Sequence, residues 1–425
     1  MKPLTALHRA RQIAADITLE AWVSRRKIER ADVVVFSRNL EPSSGHILQT
    51  ALTLGKPVIY NLDDNFFEFP SVYQSASYHR APERLAQLEH YLKTADLVRV
   101  YAEPLREKVT QFNPRVVRVD GLVDWSLLPP SPPSRDPGVV RIVYATGRIF
   151  EDDLASLFMA DLRQFLSAYQ GRAEVFFWGY HPPELRGHPS VHFLEFVPQY
   201  DRFFRRFARV GFDVGLAPLR NDLFHRSKSN NKFREYAACR IAGVYSDVDV
   251  YSDCVQEGQT GVLVSEAPGA WFRALARLIE DGELRAKIQE RAFRYAREHY
   301  SLEKTQAAWL DHIERVLTDA RNSSATRQRS LTLRDNLFSF PPSSSSTLGG
   351  MGLPLESLLR TARRVVRWAR SLKTQGIGGA VTKIRGCLND ARRLLQVKWN
   401  LLPPSHWRPW RRSAKAISTS NVSHR

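Results

Sequence analysis

Between residues 31 and 119, short apolar runs rich in β-branched residues alternate with stretches whose apolar positions recur at helical spacing. VVVF (Val33–Phe36), PVIYNL (Pro57–Leu62), DLVRVY (Asp96–Tyr101) and RVVRV (Arg115–Val119) read as strands, since continuous apolar runs suit strands buried on both faces. Ser44–Leu54, Pro82–Thr94 and Glu103–Phe112 read as the helices between them. Such alternation predicts a parallel sheet with helices on both faces. The proline-rich stretch LPPSPPSRDP (Leu128–Pro137) interrupts the pattern and reads as a linker. The alternation restarts at Val139 with VVRIVYATG, AEVFFWG (Ala173–Gly179), VHFLEF (Val191–Phe196), FDVGLAPL (Phe212–Leu219), AGVYS (Ala242–Ser246) and GVLV (Gly261–Val264). Helices are expected over Asp152–Tyr169, Pro268–Glu280, Leu284–His299 and Leu302–Asp319. The fold class is therefore α/β, with two doubly wound domains facing a cleft at the carboxyl ends of their strands. Residues 1–30 read as helix rather than sheet, so the first domain is expected to be shortened.

Five segments follow from this pattern: a first domain over 1–127, a linker over 128–138, a second domain over 139–321, a low-complexity stretch over 322–353 and a tail over 354–425. The net charge of +18 is unevenly placed: residues 356–425 carry 16 Lys/Arg against two acids, a net of +14, leaving +4 for residues 1–355. In the tail, Leu358, Leu359, Ala362, Val365, Val366 and Ala369 fall on one helical face and Arg360, Arg363, Arg364, Arg367 and Arg370 on the other. With Trp368, Trp399, Trp407 and Trp410, residues 354–412 suit an anionic membrane surface. A basic helical hairpin packed on a partner is the alternative, and no nucleic-acid motif accompanies the charge. Three scattered cysteines favour no disulfide framework and fit a reducing compartment. Residues 1–30 are charged throughout, and no apolar run nears the roughly 18–20 residues of a membrane span. The expected location is cytoplasmic, peripheral on the inner face of the cell membrane.

Candidate chemistry concentrates in KSNNKFREYAACR (Lys228–Arg240), where cations and amides open a helix after an apolar strand. Positive charge at a helix start opposes the dipole unless an anion binds there. Lys228 and Lys232 suit a phosphate, Ser229 and Asn230 offer further donors, and Glu235, one turn in, suits a sugar hydroxyl. Asp63 and Asp64 end a strand at the cleft edge, placed either to orient or deprotonate a hydroxyl or to cap the next segment. The histidines show no metal-ligand spacing, and His181, His188 and His192 read as structural, as do Trp178, Trp271 and Trp309.

FDVGLAPLRNDLFHRSKSNNKFREYAACRIAGVYSDVDVYSDCVQEGQTGVLV resembles the donor-binding half of the group 1 retaining glycosyltransferases, whose fold is GT-B. IVYATGRIFEDDL resembles the family's first strand, glycine turn and helix in that half, and NLDDNFFEFP a segment of the other half in one branch. The resemblance runs from Ala31 to Asp319 and implies transfer from a nucleotide-diphosphate sugar, with retention, to a glycan or lipid-linked acceptor in surface polysaccharide or lipopolysaccharide synthesis. It implies that Lys228 and Lys232 stabilise the leaving diphosphate and that Glu235 holds the ribose. Gly147 would let the backbone approach the phosphates, which Arg148 would also reach, and Tyr251 either contacts the donor or packs. No metal or separate cofactor is implied. Two departures stand out: Ser227 replaces the first acid of the family's glutamate pair, and Arg240 and Ala242 replace a common glycine and proline. No glycine-rich turn follows an early strand. A nucleotide-sugar epimerase, or a degenerate scaffold without catalysis, remains the alternative.

Overall fold

The computed structural model describes residues 2–73, 75–134, 138–148 and 153–322. The expected low-complexity stretch from 323 onward, the basic tail and Asp152 lie outside the described residues. Both sheets belong to one compact unit, which takes in residues 1–196 and the chain from 207 onward through the last described helix. Residues 197–206 belong to a separate unit, in which Tyr200 stacks on Phe204 with centroids 5.7 Å apart.

The first sheet holds β1 (Val34–Ser37), β2 (Val58–Asn61), β3 (Leu97–Val100) and β4 (Val116–Arg118), all parallel and in that spatial order. Strand periodicity divides their side chains between two cores. Phe36, Val58, Tyr60, Val98 and Val100 pack against helices Gly45–Thr53, Pro82–Thr94 and Glu103–Thr110 through Leu48, Leu88, Leu92 and Leu105. Ile59 and Leu97 face the other way, against Leu4, Leu7, Trp309 and Val316. An order that runs straight through puts every right-handed crossover on one face. Instead of double winding, the second face is closed by the first helix, Lys2–Arg9, and the last, Leu302–Asn322. Residues 302–322 thus pack on the first sheet although they follow the second in sequence. The helical reading of residues 1–30 reduces to Lys2–Arg9, one 3-10 turn and Arg25–Arg30.

Under that last helix, Arg99 of β3 is 1% exposed and has its guanidinium 3.5 Å from the centroid of Trp309. It donates to His312 Nδ1 at 2.8 Å. Burial, reinforced by the Arg99 charge, lowers the His312 pKa to about 4.

The second sheet contains β5 (Val140–Ala145), β6 (Ala173–Trp178), β7 (Val191–Leu194), β8 (Val214–Ala217), β9 (Ala242–Ser246) and β10 (Val262–Val264), all parallel. Its order, β10-β9-β8-β5-β6-β7, reverses between β5 and β8 and is doubly wound. A crevice opens at the carboxyl ends of the strands where such an order reverses. Helices Ser156–Ala168 and Ala270–Glu280 bury Phe158, Leu162, Trp271 and Leu278 in the main core. Helix Asn231–Ala238 lies close on β8 because Gly215 has no side chain: a Cβ there would come within 2.5 Å of the Tyr236 ring. Tyr236 donates its hydroxyl to Leu216 O at 2.8 Å. Helix Gly282–His299 packs beside it, with Phe233 against Tyr295 at 5.7 Å.

Among the described residues, four α-helices go beyond those expected: Tyr200–Val210, and the single turns Ala76–His79, Leu223–Arg226 and Asp249–Ser252. The helix expected from Asp152 begins at Ser156, since Asp153 is drawn outward to Arg220 and Tyr73. Trp178, Trp271 and Trp309 are all buried, and His181 and His192 pack on Phe193 and Phe176.

Candidate functional site

The reversal in the second sheet brings the segment after β5 beside the segment after β8. Behind β5, the Arg148 amide donates to Thr146 Oγ1 at 3.1 Å, and its guanidinium lies 5.6 Å from the Tyr73 ring centroid. A Cβ on Gly147 would meet only the Phe196 ring, at 3.8 Å, so the backbone there is open to close approach. Behind β8, the Leu219 amide is fixed to Ser246 Oγ at 2.9 Å and Arg220 to Asp153 at 2.9 Å. The chain then runs through Asp222–Lys228 into helix Asn231–Ala238.

No side chain caps that helix. Asn230, at the capping position, donates instead to the Tyr300 hydroxyl at 2.9 Å and accepts from Arg234 Nε at 2.9 Å. Uncapped amides at a helix start are the usual seat of an anion. Ser229 lies half-buried beside them, with its carbonyl accepting from the Asn231 amide at 2.8 Å. Lys232 reaches Glu235 Oε2 at 2.6 Å, and Glu235 is only 6% exposed. Arg234 ties the helix to the first domain's exit, donating to Leu122 O at 2.6 Å.

Lys228 turns toward the first domain. Its Nζ lies 2.5 Å from Asp64 Oδ1 and 3.8 Å from the Phe224 ring centroid. Burial pulls its pKa below the usual lysine value, while Asp64 opposes that shift. The other oxygen, Asp64 Oδ2, lies 3.2 Å from the Arg38 guanidinium, and Arg38 Nε lies 3.1 Å from Asp63 Oδ1. Burial raises the Asp63 pKa against the lowering pull of Arg38. Arg38 follows β1 with φ 57°, a left-handed conformation that ordinarily favours glycine.

Other contacts join the same segments. Asn65 donates to Ser227 Oγ at 3.3 Å, and both residues are 0% exposed. Ser227 Oγ in turn donates to Leu223 O at 2.6 Å, so this position is an enclosed hydroxyl. Phe224 enters the first domain's core against Phe69, with centroids 5.0 Å apart. The Tyr73 hydroxyl lies 3.1 Å from His225 Nε2, whose Nδ1 is 2.7 Å from Asp222 Oδ2. His79 stacks on Phe66 and Phe69; burial, reinforced by Arg38, lowers its pKa to about 4. A depression of about 240 Å³ adjoins Lys228 and Asn230, lined also by Tyr101, Glu103, Arg118 and Asp253.

The structure therefore brings Lys228, Ser229, Asn230, Lys232 and Glu235 to one helix start, and joins Asp64 directly to Lys228. Tyr251 is not presented to the crevice: it is 3% exposed and packs on Tyr245 with centroids 4.8 Å apart, which favours the packing alternative. Arg38, Tyr73, His79 and His225 lie against these segments and were not singled out by the sequence. For Arg38 a signal was available, since it follows the first strand, where the resemblance implies a glycine-rich turn. Among the described residues, no group of three or more His, Cys, Asp or Glu is placed to hold a metal. No described helix is long and apolar enough to cross a membrane.

Residues 140–281 match the family model for group 1 glycosyl transferases. Over 117 residues the chain is 32% identical to the lipopolysaccharide core biosynthesis mannosyltransferase LpcC of Rhizobium leguminosarum bv. viciae, a match spanning 27% of this chain and 30% of LpcC. Among solved structures, HepE of Anabaena in complex with UDP-glucose is similar with a TM-score of 0.52 and 13% identity, covering 74% of this chain and 88% of HepE. Sucrose-phosphate synthase of Thermosynechococcus elongatus gives a TM-score of 0.50 at 14% identity, covering 68% of this chain and 74% of the synthase. At these identities the structural likeness is one of fold. Residues 140–281 thus carry the match to the group 1 glycosyl transferases, and the chain's pair of parallel sheets is similar in fold, GT-B-like, to these neighbours.

Proposed function

We propose that the protein transfers a sugar from a nucleotide-diphosphate sugar to a hydroxyl of a glycan or lipid-linked acceptor, with retention at the anomeric carbon. The observation that carries this reading is the uncapped start of helix Asn231–Ala238, flanked by Lys228 and Lys232, beside the reversal of a doubly wound sheet. The diphosphate takes the uncapped helix start and both ammonium groups, with the open backbone at Gly147 and the Arg148 guanidinium on its other side. Glu235 exchanges Lys232 for the ribose hydroxyls. As transfer proceeds, the bond from the anomeric carbon to the phosphate oxygen breaks and its electron pair stays on the phosphate. The acceptor oxygen bonds to that carbon from the same face, and its proton passes to the Asp63–Asp64 pair. Cations preorganised where charge accumulates favour the transition state over the ground state. The likeness to LpcC supports a role in lipopolysaccharide or surface polysaccharide synthesis. The basic tail supports work at the inner face of the membrane.

The test is Lys232→Ala, with nucleotide-sugar binding by calorimetry and transfer by product analysis. Loss of one charge-assisted contact to phosphate, worth about 1.5–3 kcal/mol, predicts roughly ten- to 150-fold weaker donor binding. Affinity and turnover equal to wild type overturn the assignment.

A further inference from the structure

We propose that Asp64 holds, in the ligand-free protein, the position at Lys228 that the donor diphosphate takes, so that donor binding releases Asp64 toward the acceptor. This rests on the nucleotide-sugar reading and adds an order of events to it. The division of labour within one carboxylate carries the inference. Asp64 Oδ1 faces Lys228 at 2.5 Å, while Oδ2 faces Arg38 at 3.2 Å. When Lys228 leaves, Arg38 still holds Asp64 in place.

The backbone on either side is already pinned. Asn65 bonds Ser227, and Phe224 is anchored against Phe69, so the exchange needs only rotation of the Lys228 side chain. That side chain is a flexible four-carbon stem, and its head is a compact charge free to change partners. Lys228 and Asp64 are 21% and 18% exposed, so neither is well solvated and each needs a counter-charge. A diphosphate supplies one to Lys228.

The charge count changes with the exchange. Lys228 and Arg38 balance Asp63 and Asp64 in this arrangement. With Lys228 given over to phosphate, two carboxylates share Arg38 alone, and the group becomes a better acceptor for a hydroxyl proton. Donor binding therefore prepares the acceptor side, and an acceptor arriving first meets a carboxylate that is already neutralised.

The experiment titrates UDP, GDP and ADP separately into full-length wild type, Asp64→Asn and Asp63→Asn by calorimetry. Removing the competitor at Lys228 is expected to tighten nucleotide binding by about tenfold in Asp64→Asn, while transfer from the matching nucleotide sugar falls. Asp63→Asn removes the same charge one residue away and is expected to change affinity by no more than about threefold. Wild type gives an independent reading: nucleotide should slow hydrogen exchange over residues 230–238 and leave residues 62–66, still pinned, unchanged. Affinity in Asp64→Asn equal to or below wild type, an equal gain in Asp63→Asn, or nucleotide-dependent loosening of residues 62–66 each overturns the exchange of partners while leaving the donor site standing. Wild type that binds none of the three nucleotides overturns the donor reading and the exchange together.

Discussion

Gly215→Ala tests how the site helix is held. Gly215 lies inside β8, level with Val143 of β5 and Gly243 of β9. An added methyl carbon would fall 2.5, 2.6 and 2.8 Å from three atoms of the Tyr236 ring, against roughly 3.5–4.0 Å for comfortable carbon contact. Tyr236 is 0% exposed, and its hydroxyl is committed to Leu216 O at 2.8 Å, so the ring cannot swing aside. Relief requires helix Asn231–Ala238 to move outward by about 1 Å, judged from that contact deficit. Overpacking of this kind costs about 1–3 kcal/mol, and an orphaned tyrosine hydroxyl adds about 1–3 kcal/mol. The expected loss is therefore about 2–6 kcal/mol, read as a lower urea midpoint at unchanged slope. Because the same helix carries Lys232 and Glu235, nucleotide affinity should fall in the fraction that remains folded. Shortening the ring in the double variant Gly215→Ala/Tyr236→Leu should recover part of the midpoint. A loss below about 0.5 kcal/mol, the usual range of a surface change, would refute the packing argument.

Two further outcomes concern the far face of the first sheet. Trp309→Ala removes the ring over Arg99 and leaves a void in a closed cluster, with an expected cost of about 3–5 kcal/mol. Limited proteolysis should then cut first within helix Leu302–Asn322, and an unchanged cleavage pattern would count against that anchorage. His312 is 8% exposed and titrates at about 4 in the fold, against about 6.5 for a free histidine. Between those values the unfolded chain binds the extra proton, so this contribution is complete above about pH 6.5 and declines toward pH 4, by at most about 3 kcal/mol. His312→Asn should flatten the stability profile over that window; a profile as steep as wild type would show that the loss arises elsewhere.

Much of the architecture was legible in the chain because apolar runs and helical spacing are local signals. Every strand of both sheets was found, since β-branched runs bounded by glycine, proline and polar residues have few other uses. The site helix was equally visible: two lysines and an acid at its start are placed by sequence neighbours alone. The direction of winding was not. Whether three crossovers share a face depends on strand order, and strand order is a matter of which distant segments find each other.

The sequence by itself determined that Lys228, Lys232 and Glu235 would share one helix start after an apolar strand, because residues so close in a chain cannot be far apart in space. Only the tertiary structure decided that Lys228 would meet Asp64, 164 positions away, and that Arg38 would bridge both aspartates from a strained turn. It likewise decided that the final helix would close the first sheet over a buried Arg99. The physical reason is the same in each case. A charge taken out of water needs a partner, and that partner is chosen by packing geometry, not by proximity in sequence.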